Sequence, residues 1–206
     1  MSGWSTHAGL AVGLPMENID TDQLIPARFM SAPRSEGYGR FLLHDVRGTE
    51  GFPLDAPGAE GASILVAGRN FGSGSSREAA VYALVDAGFR VVIAPSFGDI
   101  FAANAVNNGL LPARADPAAL WSVLPARLSV DLTAQTVTGA GVALRFDIDP
   151  VWREKILNGW DDIDLTASHR DEIRAFADAR RAAAPWVWPA APHQTGTNPT
   201  TRESQG

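Results

Sequence analysis

A chain of 206 residues with 45% hydrophobic and 19% charged content is long enough for one well-buried soluble domain with a tail to spare. Its net charge of −6 argues against nucleic-acid binding as the main task. With no cysteine there is no disulfide, thiolate nucleophile or thiolate metal ligand, and the four histidines (His7, His44, His169, His193) show no ligand spacing. Met1 to Leu10 lacks a basic region followed by an apolar one, so no signal peptide is expected. No apolar run is long enough to span a bilayer, and cytoplasm is the expected compartment.

Leu10, Val12 and Leu14 alternate with small residues and predict a half-buried strand. A polar loop, Asn18-Ile19-Asp20-Thr21-Asp22, follows, and Pro26 breaks any helix there. Residues 30–62 are rich in Gly, Pro, Arg and Ser and predict long, partly irregular loops. A strand over 63–67, a helix over 76–87 and a strand over 90–94 make one parallel βαβ unit. Ser96 to Asn107 predicts a helix closed by Asn108-Gly109. Residues 128–132 and 142–148 alternate with period two around the turn residues Thr138-Gly139-Ala140-Gly141, which predicts an antiparallel pair. Helices are expected from about Val151 to Leu157 and from Ser168 to about Ala183, the latter with Ile173, Phe176, Ala177 and Arg180 on one face. The expected domain ends at residue 184, and residues 185–206 read as a disordered or loosely docked tail.

The densest chemistry lies in Gly68-Arg69-Asn70-Phe71-Gly72-Ser73-Gly74-Ser75-Ser76-Arg77-Glu78, between the strand Ile64-Leu65-Val66-Ala67 and the helix after it. Glycines let backbone approach a ligand, and Ser75 and Glu78 fit a capping box. The start of a helix offers unpaired N–H groups, and the Arg77 guanidinium adds a fork shaped for a carboxylate. Together they describe a small anion site containing hydroxyls. A plain strand-to-helix turn with a serine cap is the alternative reading. A phosphate-binding Walker loop would need a lysine before Ser/Thr, and the dinucleotide fingerprint would need a third glycine where Arg77 or Glu78 stands. Asn18–Asp22 alone reads as an Asx turn and lacks the ligands of a calcium loop.

The order of these motifs is more specific than any one of them. Asn18–Phe29, Asn70–Glu78, and Gly88-Phe89-Arg90-Val91-Val92-Ile93-Ala94-Pro95-Ser96-Phe97-Gly98-Asp99-Ile100-Phe101 with Asn108-Gly109-Leu110-Leu111-Pro112 resemble the signature of 3-isopropylmalate dehydratase small subunits. Residues 144–176 resemble the C-terminal part of the long bacterial form, so the likeness runs from about residue 5 to 186. The resemblance implies an α/β fold, the swivelling β/β/α domain of the aconitase superfamily, with a mixed sheet core and flanking helices. It implies a hydro-lyase acting on a small hydroxy dicarboxylic acid and active only with a large subunit, which carries a four-iron–four-sulfur cluster. It assigns Ser75, Arg77 and Asp22 as catalytic residues, with Ser75 as the base, and Gly74, Ser76 and Arg34 as substrate-binding residues. No metal, nucleic acid or membrane is implied for this chain. Two departures stand out: Ala79-Ala80 replace the family's usual His-Ala, and Pro33-Arg34-Ser35-Glu36-Gly37-Tyr38 replaces its Val-Thr-Arg-Thr-Gly-Phe. These leave open a relative acting on a methylmalate- or dimethylmalate-type diacid, or a non-catalytic assembly partner.

Overall fold

The structure, a computed structural model, describes residues 2–75 and 77–189. By its internal contacts the chain divides between Leu165 and Thr166.

The first unit is built on a seven-stranded sheet of order β4-β3-β2-β1-β5-β6-β7. Its strands are β1 (Thr6–Leu14), β2 (Ile64–Ala67), β3 (Val91–Ala94), β4 (Leu111–Arg114), β5 (Ala126–Asp131), β6 (Thr136–Gly139) and β7 (Val142–Arg145). β1 to β4 are mutually parallel, and β5 to β7 extend the sheet antiparallel from β1. The βαβ unit expected over 63–94 is present in β2 and β3. Their continuous apolar runs follow from burial on both faces. Leu65, Ala67, Val92 and Ala94 enter one core cluster, while Ile64, Val66, Val91 and Ile93 enter the other. β1 is more buried than its alternation predicts, because it lies in mid-sheet and Ala11 packs on the face opposite Val12 and Leu14.

The helices of this unit are α1 (Thr21–Leu24), α2 (Glu78–Asp86), α3 (Asp99–Asn107) and α4 (Pro150–Asn158); α5 (Asp162–Ser168) crosses its boundary. α2 and α3 send Ala80, Val81, Leu84, Phe101, Ala102 and Ala105 into the first core cluster. α4 starts on Asp149, whose carboxylate accepts from the N–H groups of Val151 and Trp152, and ends at a left-handed Gly159. Lys155 is 3% exposed; its ammonium donates to Asp162 Oδ1 at 2.5 Å and to Asn107 Oδ1, fastening α4 to the end of α3.

Three sequence expectations are corrected, and β4 is a strand the sequence pattern does not announce. The strands near 128–132 and 142–148 do not pair with each other: β6 lies between them, joined to β7 by a two-residue turn with positive φ at Ala140 (49°) and Gly141 (79°). β6 has one buried apolar residue, Val137, too little alternation to mark a strand. β4 holds Pro112, which an edge strand tolerates. The Asn18–Asp22 loop closes into α1, where Asp20 and Gln23 form a reciprocal capping box. The capping box expected at Ser75 and Glu78 does not form: α2 begins at Glu78, after an extended Arg77 (φ −115°) with no side-chain cap.

In the second unit, α6 (Arg170–Ala183) begins after His169, and a 3-10 turn spans Pro185–Val187. Ile173 and Phe176 are exposed on α6. Most of the expected tail, from residue 190 on, lies outside the described residues. Among the described residues no helix is long and apolar enough to cross a membrane.

Candidate active site at the ends of the parallel strands

β1 and β2 are parallel, so the loops leaving their carboxyl ends emerge side by side, the usual position for a site in such a sheet. Residues 18–21 then run along residues 69–75, joined by backbone bonds. Asn18 N–H donates to Arg69 O (2.9 Å), Gly72 N–H to Ile19 O (2.7 Å) and Thr21 N–H to Ser73 O (2.9 Å). The side chains of Asn70 and Asn18 (2.9 Å) and of Arg69 and Glu17 (2.7 Å) brace the entry. This pairing explains the late start of α2: acceptors that an earlier helical turn would use are held by the neighbouring segment.

Glycines make the packing possible. Gly72 has φ +72°, and a Cβ there would overlap the Phe101 ring. Gly74 has φ +93° and faces Asp20. At Gly98, the N-cap of α3, a Cβ would lie 2.6 Å from Gly72 O, so only glycine lets α3 begin against this loop. Phe71 packs edge-on to Phe101, with centroids 5.4 Å apart, and pins the loop from below.

Ser75 is exposed and lines a cleft of about 200 Å³ with Gly72, Gly74 and the first turn of α3: Gly98, Asp99, Ile100 and Phe101. The positive end of the α3 dipole therefore borders the same space as the Ser75 hydroxyl. Arg77 is partly buried, with a side-chain exposure of 22%, and its Nη1 donates to Asp22 Oδ1. The Ser75 carbonyl accepts from Arg77 N–H (2.8 Å) and from the Thr21 hydroxyl (3.0 Å). Ser75 and its neighbour Gly74 thus lie on the same bonded loop system as Arg77 and Asp22. Ser76 lies outside the described residues.

Arg34 is not brought to this group. It pairs with Asp86 through both nitrogens (2.6 and 3.0 Å) and lies over the Tyr82 ring at 4.3 Å. Asp86 ends the nine-residue α2, whose two ends are roughly 12 Å apart at the usual helical rise. The carboxylate of Asp86 also accepts the Tyr38 N–H (2.7 Å). Glu36, the other new charge in this segment, pairs with Arg40 (2.6 Å).

Sequence reasoning missed Thr21 and the start of α3. Thr21 carries no charge, and its bond to Ser75 across 54 residues has no local signal in the sequence. Gly98, between Phe97 and Asp99, was the available sign of a close backbone approach.

The resolved pKa shifts have local causes. The hydrogen bond from Arg28 holds the Asp45 carboxyl down at about 2. The Lys155 ammonium lowers Asp162. Burial lowers His7, with the Arg90 charge acting the same way, and burial raises Tyr82. Among the described residues no group of His, Cys, Asp or Glu could hold a metal ion.

Comparison with known proteins identifies the family. The aconitase C-terminal domain model matches residues 1–118, and the LeuD_N model matches residues 119–150. The 3-isopropylmalate dehydratase small subunit of Bacillus licheniformis is 44% identical over 194 residues, covering 87% of this chain and 97% of that protein. The small subunit from Acidothermus cellulolyticus is 48% identical over 190 residues, covering 89% and 96%. The crystal structure of a 3-isopropylmalate dehydratase chain from Methanocaldococcus jannaschii superposes with a TM-score of 0.67 at 26% identity, covering 84% of this chain and 99% of that one. With these relatives and the family model in agreement with its sheet, the chain belongs to the 3-isopropylmalate dehydratase small-subunit family of the aconitase superfamily.

Proposed function

We propose that this chain is the small subunit of a two-subunit hydro-lyase that interconverts 2- and 3-isopropylmalate, a step towards leucine in the cytoplasm. The substrate loses water to give an alkene diacid, and water adds back with the hydroxyl on the neighbouring carbon. The observation that carries this reading is the exposed Ser75 hydroxyl at the cleft, with the Arg77–Asp22 pair on its own loop system, in a chain of this family.

Ser75 is the base that takes the proton from the carbon next to a carboxylate. A serine hydroxyl is a weak base at its free pKa and works only where its alkoxide is stabilised. Helix capping does not supply that here, since α2 starts at Glu78. The positive start of α3 across the cleft acts in the required direction, and Arg77, two residues on, offsets part of the opposing charge of Asp99 in that first turn. Arg77 offers its fork to a substrate carboxylate, and Asp22 aims that fork. Gly74 keeps the approach to Ser75 free of side chain.

With no cysteine in the sequence, this chain offers none of the thiolates an iron–sulfur cluster requires, and the four-iron–four-sulfur cluster belongs to the large subunit. Bound there, it supplies Lewis-acid assistance to the departing hydroxyl.

The test is co-expression with a large subunit of the same family under anaerobic conditions, followed by assay with both isopropylmalates. The complex is expected to interconvert them, and the isolated chain to be colourless and inactive. Turnover or stoichiometric iron in the isolated chain overturns the division of labour. A pure complex that ignores isopropylmalate but dehydrates another hydroxy diacid overturns the substrate.

A further inference from the structure

We propose that Thr21 is a positioning residue for the reaction, holding the Ser75 hydroxyl in line through the Ser75 carbonyl; this rests on the reading of Ser75 as the base. Thr21 is 2% exposed, and it and Lys155 are the buried polar or charged residues of the described chain. A hydroxyl in such a place is costly unless it is hydrogen-bonded. The Thr21 hydroxyl donates to the backbone oxygen of Ser75, at 3.0 Å and 54 residues away in sequence.

Ser75 needs an external hold. It follows Gly72 and Gly74, both at positive φ, and it is exposed. Its own helix cannot fix it, because α2 starts three residues later at Glu78. Among the described residues two bonds restrain its peptide: a local one from Arg77 N–H (2.8 Å) and the long-range one from Thr21. Of the two, only Thr21 ties Ser75 to another part of the fold.

Thr21 is itself firmly placed. It is the first residue of α1, directly after the Asp20 cap. Its N–H donates to Ser73 O (2.9 Å), and its carbonyl accepts from Ile25 N–H (3.1 Å). The Thr21 hydroxyl therefore clamps the loop two residues beyond Ser73, where the loop leaves its strand-like contact with Asp20. Displacement of a reacting group by about 1 Å can lower a rate by about 100-fold. A valine here keeps the shape and removes the clamp.

The experiment compares wild type, Thr21→Val and Thr21→Ser as complexes with the large subunit, reading kcat, KM and melting temperature, with Ser75→Ala and the double variant alongside. Thr21→Val is expected to lose about 10- to 100-fold in kcat, with KM within about threefold and the complex intact. Thr21→Ser restores most of kcat, and Thr21→Val adds nothing to Ser75→Ala, because the two act through one group. An unchanged kcat in an active Thr21→Val complex overturns the proposal. So does failure of the Thr21→Val chain to fold or assemble, since the hydroxyl is then a structural requirement. An inactive wild-type complex, or an active Ser75→Ala complex, instead overturns the function on which the proposal rests.

Discussion

The Arg77 guanidinium donates to the Asp22 carboxylate across 55 residues of sequence, joining the loop after β2 to α1. Asp22 keeps 54% of its side chain exposed, and Arg77 keeps 22%. Such a pair contributes little to stability in water, where side-chain entropy and screening offset most of the attraction. On the proposed function, its value lies in orienting the planar Arg77 fork for a substrate carboxylate. Arg77→Lys keeps the charge but loses the two-pronged geometry. Loss of a charge-assisted bond of roughly 1.5–3 kcal/mol corresponds to about a 10- to 150-fold fall in kcat/KM, with the melting temperature nearly unchanged. Steady-state kinetics on the complex decides; an unchanged kcat/KM makes Arg77 a surface decoration.

Ser75→Ala separates catalysis from capping. A serine cap lost to alanine costs about 1 kcal/mol of stability. Ser75 is exposed and three residues ahead of α2, so the substitution is expected to leave the melting temperature unchanged. Turnover should fall by at least the ~10²–10⁴-fold typical of a lost general base. Thermal denaturation and turnover measured on one preparation check both halves, and a destabilised but active variant would reverse the assignment.

Much of this was legible in sequence where one local rule dominated. The runs Ile64–Ala67 and Val91–Ala94 are apolar throughout because both sheet faces are covered, and no polar residue blurs them. Asp149 before Pro150 and Gly159 after Asn158 set the limits of α4 to within a residue. The failures arose where distant segments compete with local preference. Ser75 and Glu78 satisfy the capping-box spacing, but the bonds from Gly72 and Thr21 to Ile19 and Ser73, together with the Thr21 clamp, hold that stretch out of the helix. Arg34 is expected at the substrate only through the family resemblance. Its partner Asp86 lies 52 residues away, a pairing no local pattern announces.

Gly72→Ala should be among the most damaging single changes in the chain. Its φ of +72° penalises any Cβ, and that Cβ would overlap the Phe101 ring, which is 3% exposed and edge-on to Phe71. Left-handed strain of roughly 1–2 kcal/mol and overpacking of about 1–3 kcal/mol add to about 2–5 kcal/mol. For a chain of this size that is a melting temperature lower by roughly 5–15 °C. A shift of less than about 2 °C shows that the loop can move off Phe101, contrary to the packing described.

His7 gives the stability a pH dependence with a defined sign. Burial, then the Arg90 charge, lowers its pKa from 6.5, and its Nε2 lies 2.8 Å from Ser63 Oγ. Above 6.5 the imidazole is neutral in both folded and unfolded chains, and its contribution is fully present. As the pH falls from 6.5 through the lowered folded value, the unfolded chain takes up a proton first and stability is lost. The His7 ring is expected to titrate below 6.5 by NMR. Urea midpoints should drop more for wild type than for His7→Gln over the same acid range. A midpoint at or above 6.5, or equal drops in both proteins, contradicts this account.

Asp86 is the last test, because it explains where Arg34 went. Its carboxylate accepts both Arg34 nitrogens and the Tyr38 N–H, and Gly39 comes so close to Asp86 that a Cβ would sit 2.6 Å from its carbonyl carbon. The segment carrying the family-divergent Pro33–Tyr38 sequence is thereby docked on the end of α2. Asp86→Ala leaves the part-buried Tyr38 N–H without its acceptor, a loss of about 1–3 kcal/mol. Arg34→Ala removes an exposed half of the pair and should cost less, about 1 kcal/mol or below. Hydrogen exchange at residues 34–38 should rise strongly in Asp86→Ala and weakly in Arg34→Ala. If both variants exchange like wild type, the segment is held by Leu42 and Leu43 in the core rather than by Asp86, and Arg34 is free to serve elsewhere.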